Sequence, residues 1–253
     1  MKKFTKKTLA MLLAAGVMLV STYVCALSDT TPADAQAAYN SISVTPVMNE
    51  QELAKIKART TKSNGMPYYI MVNRSQNTVT VYALDANGYY TQPVKVFIAS
   101  TGREGHRTPL GTYKMGTNRY RWRLMVDGSH AQYACGIYKG YMFHSVCYKS
   151  PNPSTLMTEE YDSLGNYASL GCVRLQTRDA KWIYDNAKAG TLVTIYDSDI
   201  PGELGKPNRD INNLATSVVP NWDPTDPEPT NPWWTYWNAV AEVQAKIAAQ
   251  NAQ

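Results

Sequence analysis

The sequence predicts a mainly β domain with α additions, a curved sheet or β-sandwich carrying one clear packing helix. Two observations point there. Short runs rich in β-branched and aromatic residues recur between turn signals, at Tyr68 to Val72, Thr78 to Ala83, Val94 to Ala99, Thr112 to Met115 and Leu192 to Tyr196. The clearest helical stripe is Ala180, Ile183, Tyr184 and Ala187, set between a starting Thr177 and a stopping Gly190.

Taken in order, the chain begins with Lys2, Lys3, Lys6 and Lys7, then an uncharged apolar run from Leu9 to Val20, then Val24 and Ala26. This three-part pattern makes residues 1–26 a secretory signal peptide, cut after Ala26, or an uncleaved membrane anchor. Ala35-Gln36-Ala37 offers a second cleavage site, and Val24 is too large for lipidation of Cys25. Either main reading places the protein outside the cytoplasm, secreted or held at the cell envelope. The net charge of +5 owes four charges to those lysines. Residues 27–253 carry only +1, so the basic balance gives no reason to expect a nucleic-acid partner.

Residues 27–66 read as an N-terminal stalk with one short helix, Asn49 to Arg59, opened by the capping pair Asn49 and Glu52. The domain proper spans 67–199. The third strand is apolar enough to be buried on both faces. Ser100 to Gly111 is an ordered loop rich in glycine. Arg119, Arg121, Trp122 and Arg123 mark a half-exposed strand or groove wall within Asn118 to Val126. A hairpin over Gln132 to Tyr148 turns at Lys139-Gly140. With Tyr138 facing Tyr141, that turn sets Cys135 opposite His144 and argues against a Cys135–Cys147 disulfide. Residues 149–167 form a connection long enough to serve as a lid. Six prolines from Pro201 to Pro229 make 200–231 a stiff linker. In 232–253, Trp233, Tyr236, Val240, Val243 and Ile247 recur at helical spacing, so a C-terminal amphipathic helix follows, opened by Asn231-Pro232.

The chemistry centres on Cys172. If residues 1–26 are removed, three cysteines remain, an odd number that suggests a free thiol. Cys172 sits in Ser169-Leu170-Gly171-Cys172-Val173-Arg174-Leu175, and His144 ends the hairpin's second strand. A thiol needs a base or cation beside it to attack at neutral pH, so the pair reads as a cysteine acyl-transfer site. His106 and His130 show no partner signal, and nothing points to a metal.

Four fragments in this order, Ser100-Thr101-Gly102, Thr108-Pro109-Leu110-Gly111, Phe143-His144-Ser145 and Ser169 to Leu175, resemble the L,D-transpeptidase catalytic domain (YkuD-type). The resemblance covers Tyr68 to Tyr196. It implies a β-sandwich-like fold, peptidoglycan stem peptides as partners, and no cofactor. It also implies roles: Cys172 as nucleophile, His144 accepting the thiol proton or pairing with the thiolate, the Ser145 main-chain carbonyl orienting the imidazole, main-chain amides around Gly171 and Cys172 in the oxyanion hole, and Ser169 and Arg174 at the substrate. The implied reaction is a 3→3 cross-link with release of D-alanine. The alternatives are L,D-carboxypeptidase hydrolysis or a catalytically silent cell-wall-binding module. Many members have His where Leu170 stands. The 28-residue separation of His144 and Cys172 exceeds the shortest family spacing, the excess lying in 149–167.

Overall fold

A computed structural model describes residues 61–251. The signal or anchor at 1–26, and the stalk with its expected helix up to residue 60, lie outside the described residues. Among the described residues, 61–236 belong to one compact unit and 237–251 to another.

The first unit is built on a mixed sheet. Its strands are β1 (Tyr68–Asn73), β2 (Thr78–Ala83), β3 (Gln92–Gly102), β4 (Gly111–Lys114), β5 (Arg119–Leu124), β6 (His130–Tyr138), β7 (Tyr141–Ser145), β8 (Cys147–Tyr148), β9 (Tyr167–Ser169), β10 (Val173–Leu175) and β11 (Leu192–Tyr196). The order is β4-β11-β1-β2-β3-β10-β7-β6-β5, with β8 on β6 and β9 on β3. The sheet curls, as twisted strands do when many are joined. Tyr113 of β4 stacks on Tyr138 of β6 at 4.5 Å between ring centroids, although six strands separate them in the order.

Side-chain alternation fills the inside of the curl. Ile70, Val72, Val79, Val81, Phe97, Phe143, Val173 and Leu175 meet Ala180 and Ile183 of helix α2 (Thr177–Asn186). Helix α1 (Thr158–Asp162) lies earlier in the chain. Full burial of one side chain such as Ile183 contributes about 2 kcal/mol, which is why α2 is held by its apolar face. Its start differs from the sequence reading. Thr177 is the first helical residue, and Gln176 stands at the cap with no side-chain bond. The cap comes instead from Asp223, whose Oδ2 accepts from Thr177 N and Thr177 Oγ1, both at 2.8 Å.

Strand β3 runs three residues beyond the apolar pattern, because Ser100 and Thr101 are buried yet satisfied. Ser100 pairs with Arg174 of β10, and Asn77 Oδ1 accepts from Thr101 N at 3.0 Å and from its hydroxyl at 2.7 Å. The hairpin turn Lys139-Gly140 has both φ positive, 42° and 90°, and joins Tyr138 to Tyr141 as expected. A bulge between Gly136 and Tyr138 then shifts the register by one, so Cys135 faces Phe143 rather than His144. Cys135, Cys147 and Cys172 are all free thiols. The connection at 149–167 has structure of its own, a 3-10 turn at Pro153–Thr155 and then α1.

Residues 200–231 are not a free linker. They form a strap laid on the domain. Arg209 Nη1 donates to the carbonyls of Asp162 and Leu164, and the Asp162 carboxylate accepts from Leu214 N and Ala215 N. The prolines keep the backbone extended, while the Asp, Asn and Thr between them supply hydrogen bonds that hold it down. The domain therefore continues past 199. Helix α3 (Trp233–Asn251) starts where expected, with Asn231 Oδ1 accepting from Trp233 N at 3.1 Å. Trp233 is buried and donates from Nε1 to Val219 O at 3.2 Å. Among the described residues, no helix is long and apolar enough to cross a membrane.

Candidate active site

The parallel neighbours β7 and β10 set His144 beside the strand that follows Cys172. His144 is the register partner of Arg174, and Val173 that of Phe143. Phe143, Val173 and Leu175 point into the core. By alternation His144 and Arg174 share the opposite face, and so does the position two residues before Arg174, which is Cys172. The backbone of Met142, on the same face of β7, hydrogen-bonds the Cys172 thiol, whose Sγ lies 4.0 Å from Gly140 O.

His144 is 1% exposed. Its Nδ1 and the Ser145 carbonyl oxygen are 2.6 Å apart. A carbonyl only accepts, so Nδ1 carries the proton and Nε2 is a bare acceptor. Nε2 is buried with no hydrogen-bond partner, an orphan that the site's chemistry must account for. Burial pulls the imidazole down to about 4; the Arg174 cation adds to this, and the Ser145 hydrogen bond opposes it. Burial pushes the Cys172 thiol up, opposed by the Met142 backbone and Arg174. At neutral pH the thiol and the imidazole are thus each held in the neutral form.

The turn before Cys172 is made by Gly171. Its φ is +117°, and a Cβ there would lie 2.4 Å from Tyr141 Cε1, so only glycine fits without displacing the ring. Ser169 Oγ accepts from Gly171 N at 3.0 Å and donates to Cys172 O at 2.6 Å. Ser169 is buried, and its hydroxyl closes the turn. The Gly171 amide is engaged by Ser169 Oγ, and the Cys172 amide is its neighbour in the same turn.

The Thr-Pro-x-Gly fragment braces the same turn from below. Thr108 Oγ1 accepts from Gly102 N and donates to Gly171 O, each at 2.9 Å. Arg74 Nη1 fixes Thr108 O at 2.9 Å. Arg174 is buried and ion-pairs with Glu160 of α1, and its Nε has no partner. Glu160 was invisible in the sequence, being one acid of a long connection. Asp127 was missed too; its charge acts on His144, Cys147 and Cys172, and Ser129 holds its Oδ1. His106 is exposed, and His130 lies on β6. Among the described residues, no group of His, Cys, Asp and Glu could hold a metal ion.

A groove of about 370 Å³ is lined in part by Gly140 and Met142 of the β6–β7 hairpin, and the Cys172 Sγ lies 4.0 Å from Gly140 O. Lys114, Arg123 and Lys139 supply its charge, Tyr120 is part of its wall, and no carboxylate lines it.

The family model for the YkuD L,D-transpeptidase catalytic domain matches residues 67–195. A Bacillus subtilis (strain 168) protein named as a candidate L,D-transpeptidase, YciB, is 29% identical over 113 residues, 44% of this chain and 56% of that protein. This chain thus spans little more than half the length of that relative. An L,D-transpeptidase from Mycobacterium tuberculosis H37Rv is 27% identical, with a TM-score of 0.40 covering 53% of this chain and 59% of that one. A Clostridium acetobutylicum ATCC 824 protein, described as a fused Zn-dependent amidase/peptidase/peptidoglycan-binding-domain protein, is 20% identical. Its TM-score is 0.42, covering 61% of this chain and 66% of that one.

Proposed function

Because the chain belongs to the L,D-transpeptidase catalytic-domain family, we propose that it is an exported peptidoglycan L,D-transpeptidase whose nucleophile is Cys172 and whose base is His144. The observation that carries this is the buried, unpartnered Nε2 of His144 on the face it shares with Cys172.

The chemistry follows from the protonation states. The Cys172 thiol attacks the carbonyl of the third residue of a tetrapeptide stem, and its proton passes to Nε2. The Ser145 carbonyl hydrogen bond steadies the imidazolium formed. The oxyanion meets the main-chain amide of Cys172. Collapse breaks the peptide bond, and the departing D-alanine amine takes the proton from Nε2, leaving a thioester on Cys172. An acceptor amine of a second stem attacks that thioester and returns a proton to the site through Nε2. Thiolate leaves and is reprotonated. The buried Arg174, held in place by Glu160, lowers both the imidazole and the thiol, against the burial that raises the thiol. The cationic groove at Lys114, Arg123 and Lys139 suits the carboxylates of a stem peptide.

The test is incubation of the purified protein with disaccharide tetrapeptide, read by mass spectrometry. Loss of D-alanine with a cross-linked dimer, abolished in Cys172→Ala, is the expected result. Monomeric tripeptide alone would assign water as the acceptor, and neither product nor thioester would overturn the enzymatic reading.

A further inference from the structure

We infer that the strap at 200–231 is a positioning element for the active-site histidine and acts through Asp226. The inference rests on the reading of His144 as the base, and it concerns a segment beyond the family match at 67–195.

The strand that backs His144 is interrupted at the point where the histidine needs support. Strand β6 pairs with β7 at Cys135 and Phe143, and pairs again with β8 at Ala131 and Cys147. Between these, no recorded pair joins β6 to residues 144–146, and Tyr133 has a φ of +52°. Ser145, the residue whose carbonyl orients the imidazole, is paired with Leu175 of β10 on one side, where Val146 N donates to Leu175 O at 2.8 Å, and on the β6 side no ladder pair reaches it. On that side a side-chain bond takes the ladder's place, with Gln132 N donating to Ser145 Oγ at 2.8 Å. Ser145 Oγ in turn donates to Val146 O at 2.7 Å, so the hydroxyl is held from both sides.

Gln132 is fully buried, and its amide is clamped at each end. Arg121 Nη1 donates to Oε1, and Nε2 donates to Asp226 Oδ2 at 2.6 Å. Asp226 is itself fixed. Its Oδ1 accepts from Glu228 N at 3.0 Å, and its main-chain carbonyl accepts from Asn231 Nδ2 at 2.9 Å. The links run from Asp226 through Gln132 and Ser145 to His144 Nδ1, at 2.6 to 2.8 Å. Removing the first link loosens the β6 side of Ser145, which β10 alone then holds. The Ser145 carbonyl then no longer selects one imidazole tautomer, which is the arrangement that bares Nε2 for the thiol proton. Asp226 touches no reacting atom and is a positioning residue.

The experiment reads the histidine directly. Long-range 1H–15N spectra of the full protein report imidazole tautomers. The chain has three histidines, and His144→Gln identifies the signal that matters. Wild type should show a single Nδ1–H tautomer at pH 7. In Asp226→Ala the signal should become a tautomer mixture, and alkylation of Cys172 by iodoacetamide at pH 7.5 should slow about tenfold. Asp226→Asn keeps an oxygen for Gln132 Nε2 and should stay within about twofold of wild type. A lowered Tm in Asp226→Ala with tautomer and alkylation rate unchanged would overturn the inference. Equal losses in Asn and Ala variants would do so too. Should Asp226→Ala not fold, Gln132→Met removes the same link and is read the same way. Neither readout needs turnover, so a protein that cross-links no stem peptide would fail the functional reading without touching this one.

Discussion

The nucleophile turn at 169–172 and the strap at 200–231 are both rich in hydrogen bonds and differ in how far those bonds reach. In the turn, Ser169, Gly171 and Cys172 bond one another across two or three positions, around a glycine whose positive φ no other residue adopts freely. In the strap, Asp223 reaches Thr177 across 46 positions and Asp226 reaches Gln132 across 94. The first kind of contact writes itself into a short motif. The second leaves no local trace, because a lone aspartate among prolines reads as a solvated linker until its partner is in view. The chemistry sits where local pattern is dense, and the support that aims it is supplied from far along the chain.

That contrast breaks most sharply at His144. His144→Ala should lower the rate of Cys172 acylation about a thousandfold, the middle of the range for loss of a positioned general base, while the strap stays docked. The pH dependence separates a neutral pair from an ion pair. The base works when neutral and is lost as pH falls through its folded value of about 4, not near the ordinary 6.5. Acylation measured from pH 3 to 9 should therefore hold to about pH 5 and fall below it; an acid limb centred at 6.5 would contradict the buried neutral imidazole. The sign for stability agrees. The unfolded histidine takes its proton first, so this group's contribution to stability declines as pH drops from about 6.5 towards 4.

At the strap the expected loss is of fold rather than chemistry. Asp223 is 0% exposed, and its Oδ1 and Oδ2 each accept two hydrogen bonds. Asp223→Ala leaves the start of α2 and the buried Thr177 and Thr225 donors unmatched, at a cost of about 3 kcal/mol. For a domain of this size that is a Tm lower by about 8 °C. Cys172 alkylation in the folded variant should change little. A larger effect on alkylation than on Tm would mean that Asp223 belongs with the chemistry and that the two regions are not distinct in kind.

These two sites show why some of the molecule was legible in its sequence. Strand β2 and strand β11 lie where β-branched alternation put them, because burial against α2 agrees with local propensity. Cys172 and His144 stand out as candidates because a thiol after a glycine turn and a strand-end histidine each leave a residue-type signature. The register of the β6–β7 hairpin was misread by one residue, since the bulge before Tyr138 costs little and carries no Gly or Pro of its own beyond Gly136. The part Ser169 plays in closing the turn is not legible from its place in the motif, because it depends on the fold of the turn itself. Glu160, Asp226 and Gln132 could not be found, because burying a charged or amide group is tolerated only when partners distant in sequence satisfy it.

The smallest expected effect lies on the groove, and it tests whether the contrast extends to substrate. Lys139 is exposed, at the turn beside Gly140, and lines the cationic groove with Lys114 and Arg123. An exposed cation attracts an acidic peptide weakly and through screened water, so Lys139→Ala should raise KM about threefold and leave kcat unchanged. The effect should shrink as salt rises, because the Debye length falls from about 10 Å at 0.1 M to about 3 Å at 1 M. A fall in kcat instead would place the side chain at the reacting carbonyl. A KM change indifferent to salt would mean that the groove recognises its ligand by shape rather than charge. The pattern proposed here has long-range contacts aiming the base, a short turn presenting the thiol, and exposed cations only gathering the substrate.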